Sequence, residues 1–147
     1  MMKRYCLITV FVLAGYFIFT GAAFGTEIFV NNRDASTVSV INPDEGKKIH
    51  TITVGKKSTY IALSPDGRYA FSVSTAERQL YVIDAERFRV IRTLPLSDAP
   101  KGVGVTPDGR FVYVVNEGKN ASNVYVFETG RWKRVNVIKV GSLPHNI

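Results

Sequence analysis

The chain has 147 residues, 46% hydrophobic and 21% charged, which suits one folded domain and excludes a wholly disordered chain. Its net charge is +7, but the basic residues are scattered, with no basic stripe interleaved with aromatics, so nucleic-acid binding is not expected. Aromatic content of 12% and abundant valine and isoleucine favour strands over helices.

The first 25 residues stand apart. Met1-Met2-Lys3-Arg4 is a short basic start, Tyr5 to Phe19 is apolar and uncharged, and Ala23-Phe24-Gly25 places small residues before a cut at Thr26. This is the layout of a secretory signal peptide. The alternative is an uncleaved anchor, since a run of ~20 apolar residues suffices to cross a bilayer. The expected location is therefore the periplasm, the secreted fraction or the cell surface, with membrane attachment only if the leader stays. The single cysteine, Cys6, lies in this leader and is misplaced for a lipoprotein. A chain from Thr26 onward has no thiol for a disulfide, a thiolate metal site or a covalently attached c-type haem.

From residue 26 onward short apolar segments alternate with turns. Glu27–Asn32, Thr37–Asn42 and Ile49–Val54 come first. Thr59–Leu63, Tyr69–Ser74, Leu80–Asp84 and Arg89–Leu94 follow, then Lys101–Val105, Phe111–Asn116, Asn123–Glu128 and Arg134–Val140. "SPDGR" at Ser64–Arg68 recurs as "TPDGR" at Thr106–Arg110, and the flanking segments align with it at a spacing of 42–44 residues. Proline presets the first turn corner, glycine takes positive φ, and aspartate bonds nearby amides, so the pentapeptide reads as a hairpin corner. Four strands per ~40–50 residues is the period of a β-propeller blade. The expected fold is all-β, with blades of four antiparallel strands. A parallel β-helix is the runner-up. Naming strands from the channel outward, the first group lacks its innermost strand, and Leu143–Ile147 starts a new one. The sequence thus predicts about three blades and an incomplete ring over residues 26–147.

The segments "VSVIN", "TITVG" and "IALSPDGRYAFSVS", with "FVYVVN" at Phe111–Asn116 and "VGSLPH" at Val140–His145, resemble YVTN-type β-propeller repeats. Ser74 departs from the asparagine usual there, and "VGKKST" lacks the proline. The family resemblance implies the propeller fold. It leaves function open, because such propellers include surface-layer proteins, scaffolds and relatives of the haem d1 domain of cytochrome cd1 nitrite reductase.

Ligands of propellers bind at the channel mouth, where innermost strands begin. Thr59, Lys101 and His145 are equivalent there, a polar set suited to an anionic or cofactor-like ligand; the plainer alternative is three exposed loop-edge residues. His50 reads as a surface residue, Trp132 as partly exposed packing, and Asn120-Ala121-Ser122 as a coincidental glycosylation pattern. No metal-binding, nucleophile-elbow or phosphate-loop motif is present, so no catalytic or metal residue is expected. The sequence predicts an exported, non-catalytic module for binding or scaffolding, partnered by further blades or another protein, with no cofactor. The alternative is part of a periplasmic redox or haem d1-related cofactor-handling protein, for which His145 and a haem d1-like group are the expectation.

Overall fold

The computed structural model describes residues 12–13, 16–17, 27–117 and 122–147. Val12–Leu13 (β1) and Tyr16–Phe17 (β2) form a short antiparallel pair. The leader expected over residues 1–25 otherwise lies outside the described residues. Among the described residues there is no helix long and apolar enough to cross a membrane.

Three antiparallel sheets follow. The first holds Ile28–Asn32 (β3), Thr37–Asn42 (β4) and Lys47–Thr53 (β5). The second holds Ser58–Leu63 (β6), Tyr69–Ser74 (β7), Gln79–Asp84 (β8) and Arg89–Pro95 (β9). The third holds Pro100–Val105 (β10), Phe111–Glu117 (β11), Ser122–Glu128 (β12) and Lys133–Lys139 (β13). Strands pair in chain order within each sheet, and the sheets do not close into a ring. The chain is a partial β-propeller of about three blades. Each expected strand is present within two residues of its expected bounds, except at the C-terminal end. Leu143–Ile147, expected to start an inner strand, forms none. Among the described residues it has no second strand to pair with; it lies instead against Gly102 and Gly104 of β10.

The two inner bends show why the pentapeptide recurs. The Gly67 amide bonds the Ser64 carbonyl at 2.9 Å, and the Gly109 amide bonds the Thr106 carbonyl at 2.8 Å. Both glycines have positive φ, 69° and 70°, which an L side chain resists. Asp66 accepts from the Ser64 hydroxyl and the Arg68 amide, and Asp108 accepts from Thr106 and Arg110 in the same way. The Thr106 hydroxyl bond, then the Arg110 amide, hold the Asp108 carboxyl below its ordinary value.

Alternation along each strand gives every sheet two faces. Phe29, Val38, Val40 and Ile52 of the first sheet bury against Ala70, Tyr81 and Ile83 of the second. The opposite face of the second sheet, with Phe71, Val73, Leu80 and Val82, buries against Val112, Val114, Tyr125 and Phe127 of the third. The outer hairpins reinforce both seams. Phe88 and Trp132 occupy equivalent corners with φ of 51° and 55°. That left-handed backbone costs a bulky residue on the order of 1 kcal/mol, offset by packing onto the preceding sheet. Phe88 meets Phe29, and Trp132 stands edge-on to Tyr69 at 5.0 Å. In the first sheet the same corner is Gly46, with φ 60°.

Because Phe71 is fully buried in the second seam, Phe71→Ala lowers unfolding free energy by about 3–5 kcal/mol. Val137→Ala, on a strand where Val137 is 47% exposed, changes it by less than about 0.5 kcal/mol. Urea denaturation followed by circular dichroism measures both.

Candidate functional site

The first and second strands of each complete blade share an irregularity at the same place. Between β6 and β7 the register steps from Ser58↔Ser74 to Tyr60↔Val73, leaving Thr59 as the extra residue. Between β10 and β11 it steps from Pro100↔Asn116 to Gly102↔Val115, leaving Lys101. Thr59 and Lys101 are therefore β-bulge residues, and a bulge re-aims its side chain out of the ladder. Each meets a residue at the end of the second strand, Thr75 just after β7 and Glu117 the last of β11. The Thr75 hydroxyl donates to the Pro100 carbonyl at 2.8 Å, so Thr59, 3.5 Å away, is the donor in the Thr59–Thr75 contact. In the next blade the equivalent pair is ionic: Lys101 Nζ lies 3.1 Å from Glu117 Oε2, both partners about a quarter to a third exposed. The Thr75 bond also ties the second blade to the start of the third.

His145 is exposed, and its ring meets Tyr60 edge-on, with centroids 6.1 Å apart. It lies beside β10 because β10 carries glycines there. A Cβ on Gly102 would sit 3.2 Å from Asn146 Cα, and one on Gly104 would sit 3.1 Å from Ile147 Cγ2. Of the three expected mouth residues, Thr59 and Lys101 thus sit at matching strand starts, and His145 lies in a segment that forms no strand. Among the described residues, no hydrogen bond or ion pair joins them to one another.

Sequence reasoning missed two polar staples at this same end. Glu77 accepts the Lys56 amide at 3.0 Å on one oxygen and the Tyr81 hydroxyl on the other. The Lys56 amide, then the Tyr81 hydroxyl, hold the Glu77 carboxyl below its ordinary value. Burial, then the Glu77 carboxylate, push the Tyr81 phenol up. Gly55 lies under this pair: a Cβ there would be 2.5 Å from the Tyr81 oxygen and 2.9 Å from Ser74 Cβ. In the next blade Asp98 takes the carboxylate role, accepting from Tyr125 at 2.9 Å and from Asn123 at 3.4 Å. Asn123 in turn accepts from Asn116 at 2.9 Å. Tyr81 and Tyr125 align in "LYVID" and "VYVFE", which was the available signal. The carboxylates come from different loops, so the repeat does not reveal them. A third chain starts from buried serines: Ser58 and Ser72 hydroxyls lie 2.6 Å apart, Ser72 donates to Oδ1 of half-buried Asn31 at 3.0 Å, and among the described residues Asn31 Nδ2 is buried without a partner.

Elsewhere, His50 is exposed and packs on Phe88 with ring centroids 5.4 Å apart, and Trp132 is a half-buried packing residue. Asn120 lies outside the described residues. An open cleft of about 450 Å³ between the outer strands of the second and third sheets is lined by Leu94, Leu96, Phe127, Trp132, Lys133 and Arg134. Among the described residues no three His, Cys, Asp or Glu side chains cluster as metal ligands would.

No protein-family model and no curated protein matches the chain. Solved structures do. Hydrazine synthase of Kuenenia stuttgartiensis superposes with a TM-score of 0.79 at 23% identity, over 84% of this chain and 35% of that one. The RRP9 WD40 repeats give 0.70 at 18% identity, over 78% and 36%. The dihydro-heme d1 dehydrogenase NirN gives 0.67 at 19% identity, over 84% and 26%. These likenesses establish the propeller fold alone. The chain spans about a third or less of the length of each.

The depressed Glu77 carboxyl sets a pH dependence. Its contribution to stability is full above the ordinary value of 4.5 and is lost as pH falls through the lower folded value. Thermal melts of the native chain therefore decline more steeply below pH 4.5 than those of Glu77→Gln, and the two curves run parallel between pH 6 and pH 8.

Proposed function

We propose that this chain is an exported, non-catalytic propeller module of YVTN type that binds or scaffolds a protein partner as one arc of a larger ring. One observation carries the reading. On the first sheet's face turned away from its seam, the edge strand β3 leaves Ile28 50% and Val30 39% exposed. Among the described residues, no strand pairs with its inner edge. Apolar faces and unpaired edges mark association surfaces. The basic and apolar leader supports export to the periplasm or cell surface. The matches of "FVYVVN" and "VGSLPH" support the YVTN assignment, and likeness to the RRP9 WD40 repeats supports a ring with more blades. The mouth residues Thr59, Lys101 and His145 then serve ligand or partner selection.

A second reading, a haem d1-related cofactor-handling protein, draws on His145 and on the likeness to NirN. Exposed His145 offers an imidazole as an axial ligand. The rest of the mouth suits haem poorly. Lys101, the cation nearest the strand start, is already paired with Glu117, and Asn146 and Ile147 cover the glycines of β10.

Titration of the purified chain with haemin separates the readings. The module reading expects an unchanged Soret band and no turnover of a redox dye. A shifted band that disappears in His145→Ala replaces it with the second reading.

A further inference from the structure

The outer rims of the two seams are built from the same positions and differ in chemistry. In β9, Val90 lies opposite Ile83, and in β13, Arg134 holds the equivalent place opposite Phe127. Val90 packs against the core of the first seam, where Ile52 of β5 is buried. Strands β5 and β9 lie against each other across that seam, whereas β9 and β13 stand further apart across the second. A guanidinium does not enter an apolar seam without a partner, because the loss of its hydration is uncompensated. The rim therefore stays open at Arg134, and Leu94, the equivalent of Ile52, is left half-buried. The result is the cleft of about 450 Å³ lined by Leu94, Leu96, Phe127 and Trp132. Both of its walls belong to complete four-stranded sheets of this chain.

Arg134 is held in place at this cleft. Its Cζ lies 4.6 Å from the centroid of the Tyr125 ring, and the Tyr125 hydroxyl is fixed by Asp98 at 2.9 Å. Stacking leaves the N–H groups at the guanidinium edge available to a carboxylate. The exposed pairs Arg87–Asp84 and Arg131–Glu128 are closed salt bridges. Among the described residues, Arg134 and its neighbour Lys133 have no such partner. The adjoining acids are engaged elsewhere. Glu128, opposite Lys133 in the ladder, holds Arg131, and Asp98 holds Tyr125 and Asn123.

We propose that this cleft binds an acidic peptide segment of a protein partner, with a Leu or Phe side chain of the segment between Leu94, Leu96, Phe127 and Trp132 and a carboxylate of the segment on Arg134. This rests on the module reading above and gives its partner a chemistry and a site on the outer rim of the second seam. Charge selects the occupant. Two cations without acidic partners border an apolar lining, which matches an apolar anchor flanked by carboxylates. Shape selects a segment over a small molecule. Small-molecule sites bury about 70–90% of their ligand. This cleft lies open between two outer strands, where an extended segment keeps one side in water.

Trp132 is the only tryptophan of the chain, so its fluorescence reports occupancy. The test titrates the purified full chain with acetylated, amidated heptapeptides that carry a central Leu or Phe between Glu, Ser or Lys flanks. The expected result is a saturable change with Glu flanks, none with Lys flanks, and weaker binding at high salt. Arg134→Gln is expected to weaken Glu-flanked binding about tenfold, and Arg134→Lys, which keeps the charge, to weaken it less. No saturable change with any Glu-flanked peptide up to about 1 mM overturns the proposal. So does equal binding of Lys-flanked peptides, or unchanged affinity in Arg134→Gln. N-acetylphenylalanine competing as tightly as the peptides makes this a small-molecule site and overturns the peptide partner. Each of these outcomes leaves the module reading standing. A haemin band that His145→Ala abolishes overturns the module reading whether or not the cleft binds peptide.

Discussion

The sheets of this protein form their cores by stacking face on face, and each seam needs an apolar face from both neighbours. That requirement organises the rest. The middle sheet satisfies it completely, with Ala70, Tyr81 and Ile83 buried on one side and Phe71, Val73 and Val82 on the other. The first sheet satisfies it on one side only, and Ile28 and Val30 remain exposed on the other. A solitary sheet of this kind would bury too little to be stable, because repeat units derive their core from stacking. The aromatic corners Phe88 and Trp132 follow the same logic, each reaching from its own hairpin onto the sheet before it.

The polar contacts at the mouth end are subordinate to that stacking. The link from one blade to the next must cross the seam, and its amides and carbonyls need partners once there. Glu77 meets the Lys56 amide, and Thr75 meets the Pro100 carbonyl. Asp98 meets Tyr125 from the link itself. The chemistry differs from blade to blade while the backbone task is the same. Gly55 is required because the Tyr81–Glu77 pair fills the space its side chain would take.

Much of the fold was legible in the sequence, because its signals are local. A Pro-Asp-Gly corner needs three adjacent residues, and period-two alternation needs five or six. Both were read, at Ser64–Arg68 and Phe111–Asn116, and found in place. The staples were not legible, because their partners lie in loops: Glu77 and Tyr81 are near in sequence, but nothing in either marks the Lys56 amide as their target. The aromatic wedge was half legible. Trp132 was read as packing, but its equivalence to Phe88 and Gly46 appears only when the corners are superposed. Alignment put Thr59, Lys101 and His145 at equivalent strand starts; Thr59 and Lys101 lie in β6 and β10, and His145 lies in a segment that forms no strand. That Thr59 and Lys101 are bulge residues was beyond the sequence, since a one-residue register step leaves no mark in composition.

The bulge also explains why architecture was easier to read than activity. It is a backbone device, repeated at Thr59 and Lys101 with the same register step. The side chain it presents is unconstrained by packing, because the bulge lifts that residue out of the ladder. One blade therefore carries a neutral hydroxyl pair there and the next an ion pair. A position held constant in geometry and free in chemistry is where a propeller can change its ligand without changing its fold.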